Sequence, residues 1–443
     1  MENLPPSNGM DRIESSASVP PGQGPAPRLR VPDRKQMSWE PWSLDERLPA
    51  DHPARTIWEV TGRLDLSGFY GVIEARGESP GRAATDPRLL VALWLYAATE
   101  GVGNARELDR LCQSHDAYRW LCGSVGVNYH TLSDFRVTNE AAIDELLTQV
   151  LATLMAHDVV QVKRISQDGT KVRASAGTKS FRRRPRLEGM LAEAKSHVAA
   201  LKAQGESEPA ESARRRAAQE RAARQRAERV EAALKEMKVL EAVKADQRRK
   251  HPERKPEAAR ASTTDPQARR MKMPDGGFAP AYNVQIATDP RSRAIVGIDV
   301  TNHGTDHGED APLRKQVEGR TGGKVSEHLL DGGYVKRESI RAAARDDVAI
   351  YAPLPALGAG GAVCICNPND SPEVAAWRDR MRTPSGQVTY RQRGSTSETV
   401  NADLKTFRGL GPLTVRGLKK VRSVALWSAL AYNVMHFAHV LTA

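Results

Sequence analysis

The segment QVKRISQDGTKVRASAG (residues 161–177) is where the chain changes character. Before it, apolar residues recur at helical spacing; within it, β-branched residues lead into Asp168-Gly169, the pattern of a strand that closes in a turn. Downstream, AYNVQIATD (281–289), the turn DPRSR and AIVGIDVTN (294–302) read as a hairpin. A helix is expected over Ala311–Arg320, a strand at HLLD ending on Asp331-Gly332-Gly333, a helix over Arg337–Arg345, a strand at VAIYAP and a mainly helical last 50 or so residues. Strand, long insertion, two strands, helix, strand, helix, strand, helix is the order of an α+β mixed sheet flanked by helices. In such sheets, residues at strand ends converge on a crevice although they lie far apart in sequence.

Upstream, residues 1–36 are rich in Pro, Gly and Ser without periodicity and read as a disordered arm. Residues 37–159 read as a helical domain, with helices expected over Ala105–Cys112, His130–Arg136 and Ala141–Met155 and another beginning at Pro87. The remainder, 160–443, is expected as one domain interrupted at about 182–255 by a basic insertion. That insertion is rich in Ala, Glu, Lys and Arg, a composition that favours a long solvated helix or helical hairpin broken near Gly205 and Pro209. Val424–Ala443 is charge-free, but Ser428, Asn433, His436 and His439 interrupt it, which suits a buried C-terminal helix better than a membrane span.

The 443 residues carry 66 Lys and Arg against 54 Asp and Glu, a net charge of +12. A chain this basic favours a polyanionic partner, with nucleic acid foremost. The four cysteines lack zinc-finger spacing, which argues against a structural zinc or a disulfide framework, and Cys364-Ile365-Cys366 reads as a buried or turn pair. The N-terminal stretch has no apolar core of the kind a secretory signal needs, so a cytoplasmic, nucleoid-associated protein is expected.

Asp168 in SQDGTKV and Asp331 in LLDGGYV each close an apolar stretch and precede Gly, an arrangement that holds a carboxylate at a strand end. Phosphoryl transfer with two divalent metals uses such carboxylates to place ions against the attacking and leaving oxygens. Each dipeptide alone is equally a common turn signal. A third carboxylate lies in TYRQRGSTSETVNADLKTFRGL (389–410), where Glu398, Asn401 and Lys405 share one helical face and Tyr390, Arg391 and Arg393 precede them as phosphate contacts. The crowd in NHGTDHGED, with His303, Asp306, His307 and Glu309, reads as a loop rather than a metal site, because Gly304 and Gly308 interrupt it.

These pieces resemble, in order, the insertion-sequence DDE transposases that have an RNase H-like catalytic domain and a helical N-terminal domain. The matching motifs are DHPAR with RLDLSGFY (51–70), DPRLLVALWLYA (86–97), YRWLCG (118–123), HTLSDFR (130–136), DGTKVRASAG (168–177), PAYNVQIATD (280–289), TDHGED (305–310), DGGYVKRESI (331–340) and YRQRGSTSETVNADLKTFRGL (390–410). The resemblance implies that Asp168, Asp331 and Glu398 are the catalytic, metal-binding triad. It also implies that Tyr390, Arg393, Glu398 and Lys405 form the family's tyrosine, arginine, glutamate and lysine signature, with Tyr390, Arg393, Asn401 and Lys405 on DNA. One departure is visible: four residues separate Arg393 from Glu398 where the family pattern has three. The resemblance further implies Mg²⁺ as cofactor with Mn²⁺ as a substitute, element-end and target DNA as partners, no membrane, and a homodimer or higher oligomer on DNA. A nuclease without strand transfer and a silent DNA-binding regulator are the alternatives to a transposase.

Overall fold

The computed structural model describes residues 43–74, 83–204, 210–250, 252–253, 258–357, 362–363 and 369–443. The arm at 1–36, the Gly205–Pro209 break and Cys364–Cys366 lie outside them.

The helices before the first strand are α1 (Pro53–Arg63), α2 (Ser67–Tyr70), α3 (Pro87–Thr99), α4 (Ala105–Ser114), α5 (Asp116–Cys122), α6 (Tyr129–Thr138) and α7 (Glu140–Ala156). Their starts are written in the sequence. Asp86, Asn104 and Asn128 each accept a hydrogen bond from a backbone N–H of the turn they precede, and Pro87 follows Asp86 where a missing N–H costs nothing. Helix α3 is buried on every side from Leu89 to Ala98, so it is a core helix rather than an amphipathic surface helix.

The strands are β1 (Arg164–Arg173), β2 (Phe181–Arg182), β3 (Ala261–Ser262), β4 (Arg269–Lys272), β5 (Phe278–Thr288), β6 (Ile295–Thr301), β7 (Glu327–Leu329), β8 (Ala349–Tyr351) and a separate short pair, β9 (Ala356–Leu357) and β10 (Ala362–Val363). β5 pairs antiparallel with β1 on one edge and, end to end, with β4 and β6 on the other. β1 pairs parallel with β7, and β7 with β8. The sequence pattern placed the hairpin and both later strands; it misjudged β1. The strand does not end at Asp168-Gly169 but runs through it, with Asp168 opposite Ile286 and Gly169 opposite Gln285. The dipeptide that signals a turn serves here to keep a strand position free of a Cβ.

The basic insertion folds as α8 (Arg184–Gln204) and α9 (Ala210–Lys250), packed on each other around Leu187, Val230, Ala233 and Met237. It leaves and re-enters the body through the two-residue ladder of β2 and β3. Helices α10 (Asp310–Thr321), α11 (Arg337–Arg345), α12 (Pro372–Arg382), α13 (Pro384–Arg393), α14 (Thr399–Thr406), α15 (Leu418–His436) and α16 (Ala438–Leu441) complete the chain.

Helix α15 joins the two halves of the molecule. Val421, Val424, Leu430, Ala431 and Val434 are buried, and the helix packs on α3, α6 and α7 as well as on β6. The helical segment expected as a domain at 37–159 therefore shares one continuous core with the sheet, inside a single compact unit spanning Leu44–Ala443. Asn433 fixes the docking. Its fully buried amide donates to the Ile295 carbonyl and accepts from the Ile295 N–H, both at 2.9 Å.

Asn433→Leu would strand both Ile295 groups in an apolar setting, so a loss of about 2 to 4 kcal/mol is expected in chemical denaturation. Unchanged stability would mean that the amide is not what docks α15. Replacing residues 183–260 by an Asn-Gly turn, by contrast, joins two strands already paired at Phe181–Ser262 and Arg182–Ala261. Calorimetry should find the shortened chain unfolding cooperatively, with its midpoint within about 8 °C of the parent's; loss of cooperative unfolding would mean that the hairpin belongs to the core.

Candidate active site

Side chains alternate across a strand, so Asp168 and Ser166 leave β1 on one face and Gln167 and Gly169 on the other. The first face meets the segment from Arg393 to Lys405. Asp168 Oδ1 accepts from Arg393 Nη2 at 2.9 Å and its Oδ2 from Asn401 Nδ2 at 2.8 Å, while the Ser166 and Ser397 hydroxyls share a hydrogen bond of 2.8 Å. Burial raises the Asp168 carboxyl above its usual range; the Arg393 charge opposes this and the nearby Asp331 charge adds to it. Lys405 feels the same environment in reverse, its ammonium pushed down by burial and supported by Asp168. Burial likewise raises the Tyr390 phenol, with Arg393 opposing and Asp331 adding to the effect.

Asp331 is placed by register. Arg164 pairs with Glu327 and Ser166 with Leu329, so two residues further along, just past the end of β7, Asp331 comes level with Asp168. It is exposed, and its Oδ1 accepts from the Gly332 N–H at 2.7 Å. Glu398 is also exposed, while its neighbours Thr396 and Ser397 are buried. Among the described residues no group of three His, Cys, Asp or Glu side chains lies close enough to hold a metal ion. The structure thus gathers Asp168, Asp331, Tyr390, Arg393, Asn401 and Lys405, and leaves Glu398 on the exposed side of the same element.

The four-residue gap between Arg393 and Glu398 has a structural answer. Gly394–Glu398 forms a π turn between α13 and α14. Eight residues of uninterrupted α-helix, from Arg393 to Asn401, would rotate through about 800°, about 80° beyond two full turns. A turn that accommodates one extra residue removes most of that offset. Both side chains consequently reach the same carboxylate. The Thr396 and Ser395 hydroxyls donate to the Gln392 carbonyl at 2.6 and 3.2 Å, satisfying an oxygen at the start of the turn.

The opposite face holds a polar cluster that local sequence reading missed. Gln167 Nε2 and the Tyr334 hydroxyl donate to Gln285 Oε1 at 2.9 and 2.5 Å. Gln285 and Asn283 in turn donate to Asp306 Oδ1 at 2.8 and 2.7 Å. A Cβ on Gly169 would overlap the Asp306 carboxylate, which is why the strand needs glycine there. The reading of NHGTDHGED as a loop agrees with the observed backbone, but its Asp306 is a structural partner of the sheet. The one local signal was the glycine beside Asp168, and it pointed equally to a turn.

Residues 42–138 match a transposase domain (DUF772), and residues 361–438 match a transposase DDE domain that includes Tyr390, Arg393, Glu398, Asn401 and Lys405. No curated protein and no solved structure matches the chain.

Removing Ser395 would turn the π turn into an α turn and leave Arg393 and Asn401 seven residues apart, nearly in phase. That variant should melt within a few degrees of the parent. Inserting Ala after Ser395 would throw Asn401 out of phase and remove at least one bond to a charged group, a loss of about 3 kcal/mol. Thermal unfolding of both variants checks the pair; equal effects would contradict the phasing argument.

Proposed function

The chain belongs to the insertion-sequence DDE transposases, and we propose that it cuts DNA at the ends of an insertion sequence and joins those ends to target DNA at the site built on Asp168. The observation that carries this reading is the juxtaposition of Asp168 and Asp331 under a helical segment that supplies Arg393, Asn401 and Lys405. The strand order β6-β5-β1-β7-β8, antiparallel as far as β1 and parallel beyond it, supports an RNase H-like catalytic domain.

The donor chemistry fits a divalent cation: carboxylate oxygens are hard ligands, and the nearby Asp331 charge raises the Asp168 carboxyl, an effect that Arg393 opposes and a bound cation would oppose further. Asp168 and Asp331 would hold the ions, with the exposed Glu398 as the third ligand that the family resemblance implies; Mg²⁺ is expected and Mn²⁺ is a substitute. When bound, such ions supply Lewis-acid activation of the attacking oxygen, water for cleavage and a 3′-hydroxyl for joining. The chain's own groups do the remaining work. Asn401 fixes the orientation of the Asp168 carboxylate, and Arg393 balances its charge. Tyr390, Arg393 and Lys405 would bind phosphates flanking the reacting bond, where a cation tied to few waters is worth more than at the open surface.

The helical region before β1 would recognise the element ends, one helix lying in the major groove, and a homodimer or higher oligomer would pair the two ends. None of the described helices is long and apolar enough to cross a membrane. A nucleoid-associated location in the cytoplasm follows from the DNA substrate.

Asp168→Asn keeps the side-chain volume and removes the ligand charge. In a cleavage and joining assay on element-end DNA with Mg²⁺, both activities should fall by at least about 10³-fold, as for loss of a central electrostatic group, while DNA affinity stays within a few-fold of the parent's. Parent-level cleavage by this variant would remove Asp168 from the chemistry, and cutting without joining by the parent would replace the transposase reading with that of a nuclease.

A further inference from the structure

We infer that the α8–α9 hairpin is a second DNA-contacting element, an arm that holds the phosphate backbone of duplex DNA without reading its sequence. This rests on the proposed action on DNA and deepens it.

The first observation is the sign of the charge left over after ion pairing. On α9, Glu220, Glu231, Glu236, Glu241 and Asp246 are all engaged, with Arg224, Lys195, Arg269, Arg184 and the pair Arg249 and Lys250 respectively. Arg221, Arg226, Arg229, Lys235 and Lys238 are exposed and have no carboxylate partner among the described residues. A merely solvated helix would intersperse both signs. Here internal pairing consumes five of the acids, and the exposed Glu228, unpaired among the described residues, is outnumbered by those five cations, which leaves a surplus of positive charge, the arrangement that attracts a polyanion.

The second observation is how the arm is mounted. β1 and β7 run parallel, so the ends nearest Asp331 point the same way, and β1 continues five residues beyond Asp168 to Arg173, about 17 Å. The hairpin springs from that side through β2 and β3. It is braced there by Arg269, whose guanidinium donates to Glu236 of α9 at 2.6 Å with both side chains mostly buried. An arm rooted on the carboxylate side of the sheet is on the route of any duplex bound at Asp168. Its second helix has 41 residues and so extends about 60 Å, enough to follow a duplex for more than one turn.

The third observation selects the form of nucleic acid. Residues 184–250 contain no Phe, Tyr or Trp. Single strands are held largely by stacking on aromatic rings, whereas duplex backbones need only cations. The relevant residues face outward. The apolar stripe Ala223, Ala227, Val230, Ala233 and Met237 faces α8, Arg221 and Lys235 lie on the other side of the helix, and Arg229 and Lys238 flank the stripe with exposed side chains.

The test is the salt dependence of binding. The full chain with Arg221→Gln, Arg229→Gln, Lys235→Gln and Lys238→Gln is compared with the parent on a 40-base-pair duplex of arbitrary sequence, by fluorescence anisotropy over a range of salt. Glutamine keeps helix propensity, and circular dichroism verifies the helix content. Each lost phosphate contact lowers the slope of log K against log salt by about 0.9, so a drop of about 3 to 4 is expected. The paired cation control, Arg224→Gln, should change the slope by less than one unit. An unchanged slope in the quadruple variant overturns the arm while leaving the proposed function standing, and so does a change confined to oligomeric state in light scattering, since the face would then join two copies of the chain. Failure of the parent to bind any duplex would overturn the proposed function itself.

Discussion

A carboxylate in the middle of a central strand is the constraint around which this molecule is arranged. Asp168 is largely removed from water, and a buried charge persists only if it is paired and hydrogen-bonded. Its partners, Arg393 and Asn401, come from more than two hundred residues away and are delivered by one helical segment laid across β1. Ser166 and Ser397 form a further bond one turn along. Any route the chain takes between β1 and α14 must preserve that face-to-face contact, and the π turn at Gly394–Glu398 is the local adjustment that allows it.

The sheet is polar on its other face for a related reason. Gln167, Gln285, Asn283 and Tyr334 are almost fully buried, and their hydrogen bonds converge on the Asp306 carboxylate, while Gln167 Oε1 and Asn283 Oδ1 have no partner among the described residues. Rotating the Gln285 amide would break its bonds to Gln167, Tyr334 and Asp306 together, which stiffens the cluster. It holds the loop before α10 against the strand that carries Asp168, and the missing side chain of Gly169 makes the approach possible. The strand that carries Asp168 is thereby held on both faces by polar contacts.

Helix α15 unites what the chain order separates. Lying between the early helices and β6, it makes a single core of regions that look like two domains in sequence. Forces on the helices proposed to grip element ends would then pass directly into the sheet rather than across a linker. The α8–α9 hairpin has the opposite design, with a small core of its own and a narrow root, so it can be long and charged without disturbing the sheet.

The sequence by itself determined the periodicities: helices beginning at Pro87, Ala105 and Arg337, the β5–β6 hairpin, the helical insertion and the buried C-terminal helix are all legible, because capping residues, alternation and apolar stripes act over a few residues. It also singled out Asp168, Asp331, Glu398, Tyr390, Arg393, Asn401 and Lys405 as chemically capable, and the structure brings all of these but Glu398 together. Only the tertiary structure decided that Asp168-Gly169 is strand rather than turn, since the deciding partners, Ile286 and Gln285, lie more than a hundred residues away. The same holds for Asp306, whose loop sequence carries no mark of the amides it will meet. The phasing of Arg393 with Asn401 was likewise out of reach, because a one-residue excess reads as a mismatch until a π turn absorbs it. Local pattern specifies which elements form, and the burial of polar groups specifies how distant ones must meet.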